Sequence, residues 1–188
     1  DLQLDYFDER RKDIFMPRES VPMTAGFMKQ PWKNFGKVTN QGVEVSLNVN
    51  KQFGKDLFVS LMGTFTYAHN EITEKDEPSA VVGTNRAETG HPVGQLTGYI
   101  AEGLFTEDDF EDVSTGKLKE GIPTQSFVGK LRPGDIRYRD VNGDGKVDVF
   151  DKSPIGGTKD PEIVYGFGLN MKYKNLDFGA LFQGIGRS

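Results

Sequence analysis

The chain contains no cysteine. Disulfides and thiolate metal sites are therefore excluded. Histidine occurs only as His69 and His91, and tryptophan only as Trp32. No Ser sits in a nucleophile elbow and no Gly-rich loop opens a helix onto a phosphate, so catalysis is not expected. His91 precedes Pro92 and reads as a loop hydrogen-bonder rather than a ligand. Basic residues are outnumbered as well, 23 Lys and Arg against 28 Asp and Glu. The net charge is −5, which leaves no electropositive footprint for nucleic acid. No apolar run approaches the ~18 residues of a membrane helix. No signal peptide opens the chain; it starts mid-pattern at "DLQLDYF", as an excised piece would. A length of 188 residues suits one ordinary domain or part of a larger one.

What is abundant is glycine and aromatic side chains, arranged with period two. Val43, Val45, Leu47 and Val49 alternate with Glu44, Ser46, Asn48 and Asn50. Leu57, Val59, Leu61, Phe65 and Tyr67 share one face, against Ser60, Thr64 and Thr66. Gly54 and Lys55 separate these two runs and predict a hairpin. Near the end Ile163, Tyr165, Phe167, Leu169, Met171 and Tyr173 alternate with Glu162, Gly166, Gly168, Asn170 and Lys172. Lys174 and Asn175 turn the chain, and Leu176, Phe178, Ala180 and Phe182 continue the apolar face. Leu2, Leu4 and Tyr6 open the chain in the same way, against Gln3 and Asp5.

Runs of about 9–12 residues exceed the ~5–6 of an ordinary strand and match the ~9–11 of a tilted membrane-crossing one. An apolar face with aromatics near its ends, backed by a small polar face, fits lipid outside and water inside. The expected fold is therefore all-β: antiparallel strands of a large transmembrane barrel with long extracellular loops. If both short turns are periplasmic, residues of about 17–40 and 71–161 form outer loops. Trp32 falls in the first of these, where packing beneath the loop and ligand or lid contact are both open readings. Gly90–Phe105 reads as short strand pieces. Asp108, Asp109, Glu111 and Asp112 read as a solvated acidic stretch, with a second cation site as the rival reading.

Within the long loop lies "DVNGDGKVDVFD". Asp140, Asn142, Asp144, Lys146 (through its carbonyl), Asp148 and Asp151 fall at the spacing of a calcium loop, with Gly145 at the sharp turn. Asp151 replaces the usual Glu and is one methylene shorter, so a weaker structural Ca²⁺ site is expected. The rival reading is an Asx/Gly turn without an ion. No helices flank the loop and no second copy exists, which argues against an EF-hand pair or a dockerin.

Several blocks, in order, resemble one family. "PGDIRYRDVNGDGKVDVFDKSPIGGTKDPEIVYGFGLNMKYKNLDFGALFQG", "GHPVGQLTGYIAEGLF", "LDYFDERRKDIFM" and "GKVTNQGVEVSL" resemble the late barrel region of SusC/RagA-type TonB-dependent outer-membrane transporters. The resemblance spans nearly the whole chain. It implies a plugged barrel of about 22 strands in the Gram-negative cell outer membrane. It implies import of oligosaccharides or peptides, energised by the TonB complex, beneath a SusD-like surface lipoprotein. It also implies that residues 1–188 are a partial barrel, about four strands, without the plug domain or the remaining strands. The alternative is a soluble, calcium-stabilised β-sandwich for adhesion or carbohydrate binding. There Val43, Leu61, Phe167 and Phe182 would pack against a second sheet; in the barrel they face lipid.

Overall fold

The computed structural model describes residues 1–187, Met23 by its backbone alone. Thirteen strands follow in chain order: β1 (Leu2–Pro17), β2 (Trp32–Phe53), β3 (Leu57–Glu74), β4 (Gln95–Gly98), β5 (Ala101–Leu104), β6 (Phe110–Asp112), β7 (Lys117–Leu118), β8 (Thr124–Gln125), β9 (Ile136–Tyr138), β10 (Lys146–Val147), β11 (Ser153–Thr158), β12 (Ile163–Tyr173) and β13 (Leu176–Gly186). Three single-turn 3₁₀ segments accompany them.

The chain divides into two units. The first comprises Asp1–Asp76, Glu88–Gln95 and Gly157–Ser188. It is one antiparallel sheet in the order β1-β2-β3-β12-β13. Five strands are present where about four were expected. Both expected turns form. Gly54 takes φ 62°, a left-handed conformation that costs glycine nothing. Lys174 takes φ 52° in the two-residue turn between β12 and β13. The Lys174 amide donates to the Asp56 carbonyl at 2.8 Å, so the two turns lie side by side at one end of the sheet.

Two strands run well past the expected lengths. β2 starts at Trp32, so the first loop covers 18–31 rather than about 17–40. Trp32 is thus a strand residue paired with Pro17, its ring 5.1 Å from that of Phe15. β3 likewise continues to Glu74, and the second connection starts later than 71. The extensions lie beyond the apolar stretches, where positions in line with the apolar stripe turn polar while Ile72 is buried on the other face, so the stripe is not continued. β1 carries a bulge between Arg11 and Ile14, with Asp13 at φ 57°.

The second unit, Glu77–Ala87 and Leu96–Gly156, is built from small ladders: β5 with β9, β6 with β7, and a parallel pair of β8 with β10. This unit has a small core of its own. Phe105, Phe110 and Leu131 are buried together, supported by Leu118, Ile122 and Val128. Gln125 ties β9 in place: its Nε2 donates to the Ile136 carbonyl and its Oε1 accepts the Tyr138 amide.

Candidate functional site

Register fixes the faces of the five-stranded sheet, because directly opposed residues point the same way. Leu57 stands opposite Phe53 and Tyr173, and Tyr173 opposite Leu176. Leu61 stands between Val49 and Leu169; Phe65 between Val45 and Tyr165; Tyr67 between Val43 and Ile163. Leu4 and Tyr6 extend the last two rows onto β1. Six rows of this face, from Leu57 to Tyr67, carry one charged side chain among the described residues, Lys51 near the turn end. Every apolar residue singled out by alternation lies on it.

That face is uncovered. Leu4 is 70% exposed, Phe167 53% and Phe182 57%. The buried apolar residues among those described are Ile72, Phe105, Phe110, Leu131 and Val147, none of them in the six rows. Among the described residues of this unit no second sheet packs there, contrary to the sandwich alternative. From Leu57 to Tyr67 the strand rises about 33 Å at ~3.3 Å per residue. Tilted about 40°, it spans ~25 Å, the height of the apolar band of an outer-membrane barrel. Tyr6 and Tyr67 mark one boundary; Phe53 and Tyr173 mark the other. Phe167 and Phe182 stack at 4.9 Å across β12 and β13. Tyr165 lies over Gly184, where an added Cβ would sit 2.5 Å from its ring. The reverse face is mixed and more polar: Glu44, Ser46, Asn48, Asn50, Thr64 and Asn170 line it, with Phe58, Met62, Val164, Leu181 and Ile185 among them.

In the acidic loop, carboxylates hold backbone amides. Asp140 accepts from Gly143 at 2.7 Å and Gly145 at 2.8 Å. Asn142 accepts from Asp144, and Asp144 from Lys146, each at 2.9 Å. Asp151 is fully buried and accepts from Val141 at 2.8 Å, Asn142 at 3.3 Å and Asp148 at 2.7 Å. Asp148 caps the 3₁₀ turn Val149–Asp151 through the Phe150 amide. Lys146 lies in β10, opposite Thr124. Among the described residues no three Asp, Glu or His side chains gather closely enough to hold a metal. Asp140, Asn142 and Asp144 share one turn, and a carboxylate has about four lone-pair positions, so these oxygens are not exhausted by their amide bonds. Asp151 acts as a brace beneath the turn.

Two residues of the second acidic stretch, Asp109 and Asp112, also hold turns. Thr106 donates its amide at 2.6 Å and hydroxyl at 2.9 Å to Asp109; these bonds hold the carboxyl below its ordinary range. Hydroxyls of Ser114 and Thr115 do the same for Asp112. Asp76, which sequence reasoning missed, accepts from Arg18 Nε at 2.9 Å and from Ser20 through hydroxyl and amide. Burial pushes its carboxyl up, but the bonds from Arg18 and Ser20 and the Arg18 charge outweigh burial and leave it lowered. His69 bonds Glu162 at 2.5 Å, and the His91 carbonyl accepts the Ile72 amide.

A family model described as TonB dependent receptor-like, beta-barrel, matches residues 1–177. The chain belongs to that family. This TonB-dependent receptor chain is 25% identical over 194 residues to TonB-dependent receptor P3 of Formosa agariphila, covering 97% of the chain and 18% of that relative. It is 27% identical over 173 residues to TonB-dependent receptor SusC of Bacteroides thetaiotaomicron, covering 90% of the chain and 16% of SusC. The chain thus spans less than a fifth of the curated relatives it matches. A solved structure of the RagAB peptide importer in its closed-closed state superposes over 99% of the chain and 19% of its own, with TM-score 0.63 and 20% identity, a likeness of fold. The receptor chain is an outer-membrane β-barrel segment of a Gram-negative bacterium. Its relatives are receptors rather than enzymes, which supports a non-catalytic role.

Proposed function

We propose that this chain forms wall strands and outer loops of an importer of the SusC/RagA type. The importer takes up oligosaccharides or peptides, is energised through TonB by a part outside this chain, and is covered by a SusD-like lipoprotein. The observation that carries the reading is the uncovered apolar face, ~25 Å high and backed by a more polar one. The likeness to SusC and to the RagAB peptide importer supports the cargo class and the lid. The hairpin turns at one end of the sheet and the long 75–162 connection at the other support turns on the periplasmic side and the connection outside. The test is affinity purification of the full-length receptor from outer membranes. A surface lipoprotein should accompany it in equal amount, and labelled oligosaccharide or peptide should enter cells only when the receptor is present. Recovery of the receptor alone, with unchanged uptake in its absence, refutes the reading.

For the Asp140–Asp151 loop we propose a structural Ca²⁺ held by Asp140, Asn142 and Asp144, with Asp151 bracing the backbone. The residue pattern and the shared turn support it. Calorimetric titration with CaCl₂ should give heat for the wild type and none for Asp144→Ala. Equal heats refute the site.

A further inference from the structure

The outward face changes character over three rows. Tyr6, Val43 and Tyr67 form the last apolar row. Asp8, Gln41 and His69 form the next, then Arg10, Thr39 and Glu71. A groove of about 280 Å³ lies on this boundary, walled by Tyr6 and Tyr67 and reaching Gln41, Thr39, His69 and Glu71. Its Tyr67 wall is held in place. Arg187 reaches the Tyr67 hydroxyl at 3.5 Å and Glu162 at 3.3 Å, and its guanidinium lies 5.7 Å from the Tyr67 ring. Glu162 in turn holds His69 Nδ1. Its polar rim is open: Thr39, Gln41, Glu71 and His69 Nε2 have no side-chain hydrogen bond to the described residues.

On the outside of a barrel, at the upper edge of the apolar band, the molecule that meets this groove is a lipid. Two tyrosine rings beside a hydroxyl, an amide, an imidazole and a carboxylate are the chemistry that takes a sugar: CH faces on the rings, hydroxyls on the rim. Asp8, Glu71 and Glu162 outnumber Arg10 and Arg187, so the surroundings favour uncharged hydroxyls over a bare phosphate. We propose that this groove is the headgroup site of an outer-leaflet glycolipid. The sugar lies between Tyr6 and Tyr67, Gln41 and His69 hydrogen-bond it, and the acyl chains run down the Val43–Val45–Leu47 stripe. This inference rests on the barrel reading and its orientation.

The test is native mass spectrometry of the full-length receptor, purified from outer membranes into phosphatidylethanolamine nanodiscs. The discs are doped with lipid A or with its enzymatically dephosphorylated form. The wild type should retain either glycolipid over phosphatidylethanolamine. Gln41→Ala and Tyr6→Leu should each weaken retention about tenfold. Tyr165→Leu, one row lower, should retain as the wild type does. A correctly assembled receptor with no preference for glycolipid overturns the inference and leaves the barrel standing. Retention that needs the phosphates overturns the sugar assignment. Absence of the receptor from the outer membrane overturns both readings together.

Discussion

An arginine moved along β3 measures the depth of the membrane at this sheet. Leu57, Leu61 and Tyr67 all face outward, in the first, third and last of the six apolar rows. With ~3.3 Å per residue and a tilt of about 40°, Leu61 stands ~10 Å above the Leu57 row and ~15 Å below the Tyr67 row. It is therefore close to the bilayer midplane, where arginine costs about 2–4 kcal/mol, against about 0–1 near either boundary. Leu61→Arg should weaken folding into vesicles about 30- to 1000-fold, and Leu57→Arg and Tyr67→Arg by about fivefold or less. Ser60→Arg points into the lumen and should cost about as little as the boundary variants. The assay is guanidinium titration of the full-length receptor in phospholipid vesicles, read as shifts relative to wild type. The profile should peak at Leu61. Equal penalties at all three sites would indicate a face packed on protein, and no penalty would indicate one bathed in water; either refutes the reasoning.

Three further outcomes follow from local geometry. Gly42→Ala should destabilise the sheet by about 1–3 kcal/mol, because its Cβ would meet the Tyr67 carbonyl and the Phe7 ring; an unchanged midpoint in the same titration contradicts this. Asp151→Ala orphans the amides of Val141, Asn142 and Asp148 and should cost the acidic loop about 3 kcal/mol or more. Hydrogen exchange at those amides checks it, and unchanged protection removes the bracing role. Asp76 is lowered when folded, so its contribution is present above the ordinary Asp value and lost as pH falls through the lower folded one. Protection of the Ser20 amide, corrected for intrinsic rate, should persist at about pH 5 and fail only below ~3.9; failure at the higher pH contradicts the Arg18–Asp76 latch.

How much of this was legible in sequence depended on where water and lipid impose contrast. Between Leu57 and Tyr67 one face meets lipid and the other water, so period two is strong, and the same side chains reappear in register across five strands. Above Tyr67 the outward positions become His69 and Glu71, and on β2 Gln41 and Thr39. The outward stripe is then polar while isolated apolar residues such as Val38 and Ile72 fall on the other face, so alternation fades and the Trp32–Asn40 extension reads as loop. The small core of the second unit was hidden for another reason. Phe105, Phe110 and Leu131 are single apolar residues from separate segments, with no periodicity to announce that they meet. The acidic loop was visible as a pattern, but the pattern could not show that Asp151 faces inward onto amides.

Site-directed labelling decides the central claim most directly, and the absence of cysteine leaves a clean background in this chain. Single cysteines placed along 57–67 of the full-length receptor in liposomes would carry a nitroxide, read by its accessibility to oxygen and to a water-soluble nickel chelate. Positions 57, 59, 61, 65 and 67 should be open to oxygen and shielded from nickel, with 58, 60, 62, 64 and 66 more accessible to nickel. Equal nickel access at both sets would contradict a wall that separates lipid from lumen.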